Sequence, residues 1–145
     1  MGMVATIYPI SAESYEAARR GELDKFDHAA PGFILYGFWH AIHYLVTEDS
    51  TLTCLLSGTQ LPLISTHYEV HAPASIEALH RRLSEMSVEQ IMAKFDPATF
   101  NQLNIYSGPG WSQYEAPDLQ RELELFLSKL KEAADSKWGF LVMIL

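Results

Sequence analysis

The segment from Trp39 to Tyr44 constrains the fold more than any other part of the chain, because two aromatic rings and two imidazoles fall within six residues. Rings of this kind are usually well buried, and an apolar run from Phe33 to Phe38 precedes them. Apolar residues recur there at spacings of three and four, which is the period of an amphipathic helix. The pattern therefore predicts one buried helix that begins near Pro31 and runs to Val46, with an apolar stripe formed by Leu35, Phe38, Trp39, Ile42, Leu45 and Val46.

Both ends of the sequence have the composition of strands, and helical patterns lie between them. The residues from Met3 to Ile10 predict one strand, and the apolar stretch from Trp138 to Leu145 predicts an interior strand. Helix-start signals lie between them: Ser11 before Ala12–Arg20, Pro73, the Ser87–Gln90 pair, Asp96–Pro97, and Pro117 before the longest helix. The sequence therefore predicts a single α+β domain over residues 1–145, in which a small sheet that includes both terminal strands packs with several helices.

Connecting segments carry weaker signals. The segment from Thr51 to Leu56 is short and apolar, and its periodicity does not separate helix from strand. The segment from Gly58 to Ser65 is predicted as a loop, because Pro62 excludes a central strand. We expect His67–His71 to be extended, and Ser107–Gly110 to form a turn.

The charge of the chain narrows the classes of partner. Ten Lys and Arg residues against 18 Asp and Glu residues give a formal net charge of −8. Nucleic acids are recognised through clustered basic residues, and the nearest such cluster here is the pair Arg81–Arg82. We therefore expect neither nucleic acid nor a membrane surface as a partner, whereas a basic protein would suit the charge.

The same sequence predicts a cytoplasmic protein. No segment approaches the ~20 apolar residues of a membrane-spanning helix, and the residues from Met1 to Val4 do not resemble a signal peptide. Cys54 is the only cysteine, which excludes an intrachain disulfide. Its apolar neighbours predict a buried, unreactive thiol.

Three stretches of the chain resemble the YfbM-like family, a set of small bacterial proteins classed as a domain of unknown function. Met1-Gly2-Met3 before a strand is similar to the start of that family, and the segment Trp39–Thr47 is similar to its central signature. Ile105-Tyr106, with Trp111 shortly after, resembles a second signature. The resemblance implies an α+β fold of the YfbM type and supplies no reaction. Glu69 departs from it, since the family commonly has a basic residue there.

The two histidines of the central segment allow two interpretations. In the first, His43 is a buried imidazole that is hydrogen-bonded to the backbone or to a tyrosine, and His40 lies at the surface. In the second, His43 donates a proton or orients a ligand. Both interpretations stay open at the level of sequence.

Patterns for metal binding and catalysis are weak. In a strand His67 and His71 would lie roughly 13 Å apart along its axis, which is too far to share a metal ion. No Cys pair or His-Glu-x-x-His pattern supports a metal site, and no recognisable nucleophile motif surrounds Ser57 or Cys54. The carboxylate pairs Asp24 with Asp27 and Glu122 with Glu124 are predicted to be solvated surface. We therefore expect no catalytic residue, no metal and no cofactor.

Aromatic residues provide the remaining site candidates. Trp111 and Tyr114 follow a turn in a polar loop, where a ring pair can line a pocket or contact a partner. The alternative for both rings is ordinary packing against the last helix. Our first hypothesis is a non-catalytic binding module for a protein partner, for example of the immunity type. The alternative is a small-molecule-binding protein or an unrecognised enzyme with a pocket around His43. The candidate residues for binding a ligand or partner are Trp39, His43, Tyr44, Tyr106, Trp111 and Tyr114.

Overall fold

A computed structural model describes residues 3–22, 27–49, 59–60, 67–106 and 110–144 of the chain. These residues form five strands and six α-helices, with a short 3-10 helix at Gln113–Glu115. The strands are β1 (Ala5–Ile10), β2 (Phe33–Leu35), β3 (Thr59–Gln60), β4 (His67–His71) and β5 (Gly139–Ile144). The helices are α1 (Ala12–Arg19), α2 (Trp39–Thr47), α3 (Pro73–Leu83), α4 (Val88–Met92), α5 (Pro97–Gln102) and α6 (Ala116–Asp135). The predicted α+β class is confirmed, and both terminal strands belong to the sheet.

The sheet is antiparallel, and its strand order is β2-β1-β5-β4-β3. Strand β5 lies in the middle and pairs along its whole length with β1. Its other edge pairs with β4, where Glu69 lies opposite Val142 and His71 lies opposite Phe140. Almost every residue of β5 is buried, as the predicted interior strand requires.

Helices cover both faces of this sheet. On one face a large core joins Phe140 and Val142 to α2, α3 and α6. On the other face a small cluster of Ile10, Ala18, Val70 and Leu141 packs beneath α1. Cross-strand neighbours share a face. Glu69 and His71 therefore point toward the large core, although both are polar.

The first residue of β5 must be a glycine for β4 and β5 to approach each other here. A Cβ atom at Gly139 would overlap the carbonyl oxygen of His71 and would lie 3.3 Å from Cδ of Pro73. The carbonyl belongs to the backbone, so it cannot turn aside as a flexible side chain would. The missing side chain thus fixes how closely His71 and the start of α3 lie against the central strand.

The predicted helix from Pro31 to Val46 is wrong in its first half. Phe33, Ile34 and Leu35 form β2, which pairs with Ala5–Ile7 of β1. Phe33 and Leu35 are buried while Ile34 is 39% exposed, which is the alternation of a strand. The helix begins only at Trp39. An apolar run of this length fits either period, and pairing with β1 decides between them.

The other predicted elements have mixed outcomes. The strand near Met3–Ile10, the extended segment His67–His71 and the helix starts are confirmed, including the cap at Ser11 and the Ser87–Gln90 capping box. The predicted loop Gly58–Ser65 contains the short strand β3, which pairs with β4. Thr51–Leu56, Cys54, Ser57 and most of Ser107–Gly110 lie outside the described residues. Within the described part of the chain, no helix combines the length and the apolar character needed to span a membrane.

Glu122 is not the solvated surface carboxylate that its sequence predicts. It lies on α6, where its Oε1 accepts a hydrogen bond of 3.2 Å from the backbone N–H of Tyr36. Its Oε2 is buried and has no hydrogen-bond partner among the described residues. Burial raises the pKa of Glu122, and the Tyr36 N–H opposes this shift. The second carboxylate pair predicted at the surface was Asp24 with Asp27, and Asp24 lies outside the described residues.

Glu122 should make the native state less stable as the pH rises. Because its folded pKa lies above the ordinary value of 4.5, its protonated form favours folding at low pH. That contribution is lost as the pH rises through the folded pKa. Urea denaturation at pH 4.5 and pH 7.5 should therefore show that Glu122→Gln gains stability relative to wild type at the higher pH.

Glu124→Gln removes the same charge from an exposed position two residues away and serves as the control. If Glu122→Gln and Glu124→Gln change the unfolding free energy equally at both pH values, burial of Glu122 does not govern the effect.

Candidate functional site

Trp39 and Tyr106 join three distant parts of the chain. The indole Nε1 of Trp39 donates to the carbonyl oxygen of Met3 at 3.1 Å, and the Met3 N–H donates to the hydroxyl of Tyr106 at 2.6 Å. The rings of Trp39 and Tyr106 lie 5.3 Å apart. These contacts fix the start of β1 against α2 and the segment after α5, so both rings have a clear structural role.

His40 is buried and does not lie at the surface as the first interpretation expected. Its side chain is 1% exposed, and its Nδ1 accepts a hydrogen bond of 2.7 Å from the backbone N–H of Tyr106. In the neutral ring the proton is therefore on Nε2. His40 is buried because its position on α2 faces the core, where the imidazole accepts the hydrogen bond from the Tyr106 N–H.

His43 is equally buried, one turn further along α2. Its Nε2 lies 3.5 Å from Oδ2 of Asp49, a partly exposed carboxylate just after the helix. Burial lowers the pKa of His43 below its ordinary value, and Asp49 opposes that shift. The burial of His43 agrees with the first interpretation, but the Nε2 contact is to a carboxylate, whereas that interpretation expected the backbone or a tyrosine.

Trp111 and Tyr114, predicted as a ring pair in a polar loop, lie in different environments. Trp111 is 7% exposed, its Nε1 donates to the carbonyl oxygen of Ile105 at 2.8 Å, and its ring packs 5.2 Å from that of Phe100. The indole of Trp111 therefore packs in the core, as the packing interpretation expects, with Phe100 of α5 as one of its aromatic neighbours. Tyr44 also packs against Phe100. Tyr114, in contrast, is 92% exposed.

A cavity of about 330 Å³ lies between the end of α2, the end of β4 and one face of α3. Ser75, Ala78, Leu79 and Arg82 have the spacing of a single helical face, and that face of α3 forms one wall. The lining combines polar side chains with an apolar stretch of α3. Its lining residues are Thr47, His71, Ser75, Ile76, Ala78, Leu79 and Arg82.

Two polar residues of the cavity, Thr47 and Arg82, make short hydrogen bonds with backbone carbonyl groups of α2. Thr47 donates its hydroxyl to the carbonyl oxygen of His43 at 2.6 Å and accepts from the N–H of Asp49 at 3.2 Å. Arg82 reaches across from α3, and its Nη2 donates to the carbonyl oxygen of Val46 at 2.6 Å. A cation is favourable there because the carbonyl groups at the end of a helix carry partial negative charge. His71, at the end of β4, also lines the cavity, and its Nε2 lies 3.9 Å from Oε2 of Glu69.

Arg82 differs from the other basic residues in its electrostatic surroundings. Every other described lysine and arginine has a carboxylate oxygen within 4.0 Å. No carboxylate of the described residues lies that close to Arg82. Its neighbour Arg81 points elsewhere and pairs with Glu77 at 3.3 Å.

The sequence alone does not predict this cavity. At that level His71 is a candidate only for zinc, and Arg81–Arg82 is a basic pair too small to bind nucleic acid. The spacing of Ser75, Leu79 and Arg82 on one face of α3 was available as a signal, but which face is buried depends on the sheet. Across the described residues no group of three potential ligands is positioned to hold a metal ion, and His67 and His71 lie in one strand as predicted.

Removing the acceptor at His40 should destabilise the fold. His40→Leu leaves the Tyr106 N–H buried without its present acceptor, which costs about 1–3 kcal/mol of unfolding free energy. His40→Asn should cost less, because its amide oxygen can take the place of Nδ1. Equal losses for the two variants in urea denaturation would show that the hydrogen bond to Tyr106 is not the source of the stability.

Comparison with known proteins identifies the family. The chain is similar to the crystal structure of YfbM from Escherichia coli, a protein of unknown function, with a TM-score of 0.66 and 15% identity over 98% of this chain and 99% of that chain. At this identity the likeness shows the fold alone. No curated protein matches the chain. A family model described as a domain of unknown function (DUF1877) matches residues 1–136, which confirms the resemblance predicted from the sequence: the chain belongs to that family.

Proposed function

We propose that this protein binds a small molecule in the cavity between α2, β4 and α3, and that it acts as a binding protein in the cytoplasm. The observation that carries the proposal is Arg82, a cation that lines a cavity with an apolar wall and has no carboxylate within 4.0 Å among the described residues. Ligand sites commonly combine an apolar lining with a few polar groups that orient the ligand.

The size and construction of the cavity support a small ligand. Its volume of about 330 Å³ is at the lower end of the range for small-molecule sites, roughly 300–1,000 Å³. The wall formed by Ile76, Ala78 and Leu79 belongs to a regular helix, and Thr47 is fixed by two hydrogen bonds. A site built on such elements is already shaped before a ligand arrives, which lowers the entropic cost of binding.

Filling the cavity should abolish binding without unfolding the protein. Ala78 is exposed on the cavity face of α3, so Ala78→Trp places a ring in the space the ligand needs. Ala74→Trp adds the same ring to an exposed position on the same helix that does not line the cavity. A library of soluble metabolites, screened by thermal unfolding, should contain a compound that stabilises wild type and Ala74→Trp but not Ala78→Trp.

Two results of the screen would contradict the proposal. Either no compound stabilises wild type, or every compound that does so stabilises Ala78→Trp equally. The second result would place binding elsewhere on the molecule.

A protein-binding role is the second candidate, and the exposure of Tyr114 favours it. This ring is 92% exposed beside Glu115, on a chain of formal charge −8. Exposed tyrosines often contribute strongly to protein interfaces, and the charge suits a basic partner, as expected for a binding module of the immunity type. Affinity capture should then retain a basic protein on wild type and on Ala78→Trp but lose it on Tyr114→Ser. Equal retention by all three forms would contradict this role.

A further inference from the structure

We infer that the ligand of the α2–β4–α3 cavity is a small monocarboxylate with a short apolar chain, whose carboxylate binds the guanidinium of Arg82. The inference rests on the proposed small-molecule function and names the chemical class of the ligand. Two features of the cavity carry it: the charge of Arg82 and the apolar wall beside it.

The charge of Arg82 is not neutralised by the described part of the protein. Arg82 lacks the carboxylate within 4.0 Å that each of its described counterparts has, on a chain with an excess of acidic residues. A guanidinium has five N–H donors, and the hydrogen bond to Val46 uses one of them. The remaining donors can therefore bind an anion while the contact to α2 stays in place.

The geometry of a guanidinium selects among anions. Its planar fork matches the two oxygens of a carboxylate, which it binds through two parallel hydrogen bonds. A single arginine balances a single negative charge. The hydroxyl of Ser75 lies on the same face of α3, two helical turns from Arg82. The cavity lining contains no second Lys or Arg among the described residues, and one cation fits a monocarboxylate better than a doubly charged phosphate.

The apolar wall determines the polarity of the rest of the ligand, and the cavity volume determines its size. Ile76, Ala78 and Leu79 line the cavity beside Arg82 and offer no hydrogen-bonding side chain. A volume of about 330 Å³ corresponds to roughly ten water molecules of liquid volume. An unbranched acid of about six carbons therefore fits, with its chain along α3 and its carboxylate at Arg82.

Hexanoate, 1-hexanol and hexylammonium are matched probes, because they share a chain and differ in the charge of the head group. Isothermal titration should show hexanoate binding wild type most tightly, 1-hexanol roughly 10- to 100-fold more weakly, and hexylammonium not at all. Arg82→Gln should weaken hexanoate by a similar factor while leaving 1-hexanol unchanged. Arg81→Gln, which removes the same charge from the neighbouring position, should bind all three probes as wild type does.

Thermal unfolding of each variant shows whether it is folded, and Arg82→Lys provides a second test if Arg82→Gln is not. Arg82→Lys keeps the charge but loses the planar fork, so it should bind hexanoate with an affinity between those of wild type and Arg82→Gln.

The outcomes separate this inference from the proposed function. Equal affinity for hexanoate and 1-hexanol, both blocked by Ala78→Trp, would overturn the carboxylate inference and leave a small-molecule site. Tighter binding of hexyl phosphate than of hexanoate would overturn it in the same way. No binding of any probe, together with a metabolite screen without a hit, would overturn both.

Discussion

The pairing of β5 with strands on both of its edges is the constraint on which the rest of the structure depends. β5 joins β1, at the start of the chain, to β4, which leads directly into α3. Gly139 allows the carbonyl of His71 to lie against this central strand. That contact fixes the start of α3 against β5, and Arg82 at the other end of α3 reaches the last turn of α2, so the cavity lies between them. The cavity is formed by residues from the middle of the sequence, but its position depends on β1 and β5, which are the first and last strands.

The signature residues and the cavity have different functions in this account. Trp39, His40, Tyr106 and Trp111 hydrogen-bond to backbone groups and pack in the core, so they stabilise the arrangement of α2 and its neighbours. The cavity takes from α2 only its last turn, at Thr47 and the carbonyl of Val46. The resemblance to the family therefore identifies the scaffold, and the cavity combines the last residue of the Trp39–Thr47 signature with side chains from β4 and α3.

The sequence predicts those elements whose ends are fixed by hydrogen bonds between residues close together in the chain. The Ser11 cap and the Ser87–Gln90 capping box depend on neighbouring residues, and both are predicted from the sequence. Phe33–Leu35 was assigned to a helix because the decision between helix and strand rests on β1, which is distant in sequence. Arg82 was missed for a related reason. The sequence does not distinguish Arg82 from its neighbour Arg81. Only the packing of α3 shows that Arg81 pairs with a carboxylate and that Arg82 contacts the backbone of α2.

The central claim is that Arg82 and the adjacent face of α3 bind a small carboxylate. An NMR titration of ¹⁵N-labelled protein with hexanoate tests it most directly, because the Arg82 Nε–H and the backbone amides of Thr47, Ser75 and Leu79 report on the cavity itself. The account predicts that these signals shift together along one binding curve, while the Nε–H of Arg81 does not move. Shifts concentrated around Tyr114, or a saturating titration that leaves the Arg82 Nε–H unchanged, would contradict it.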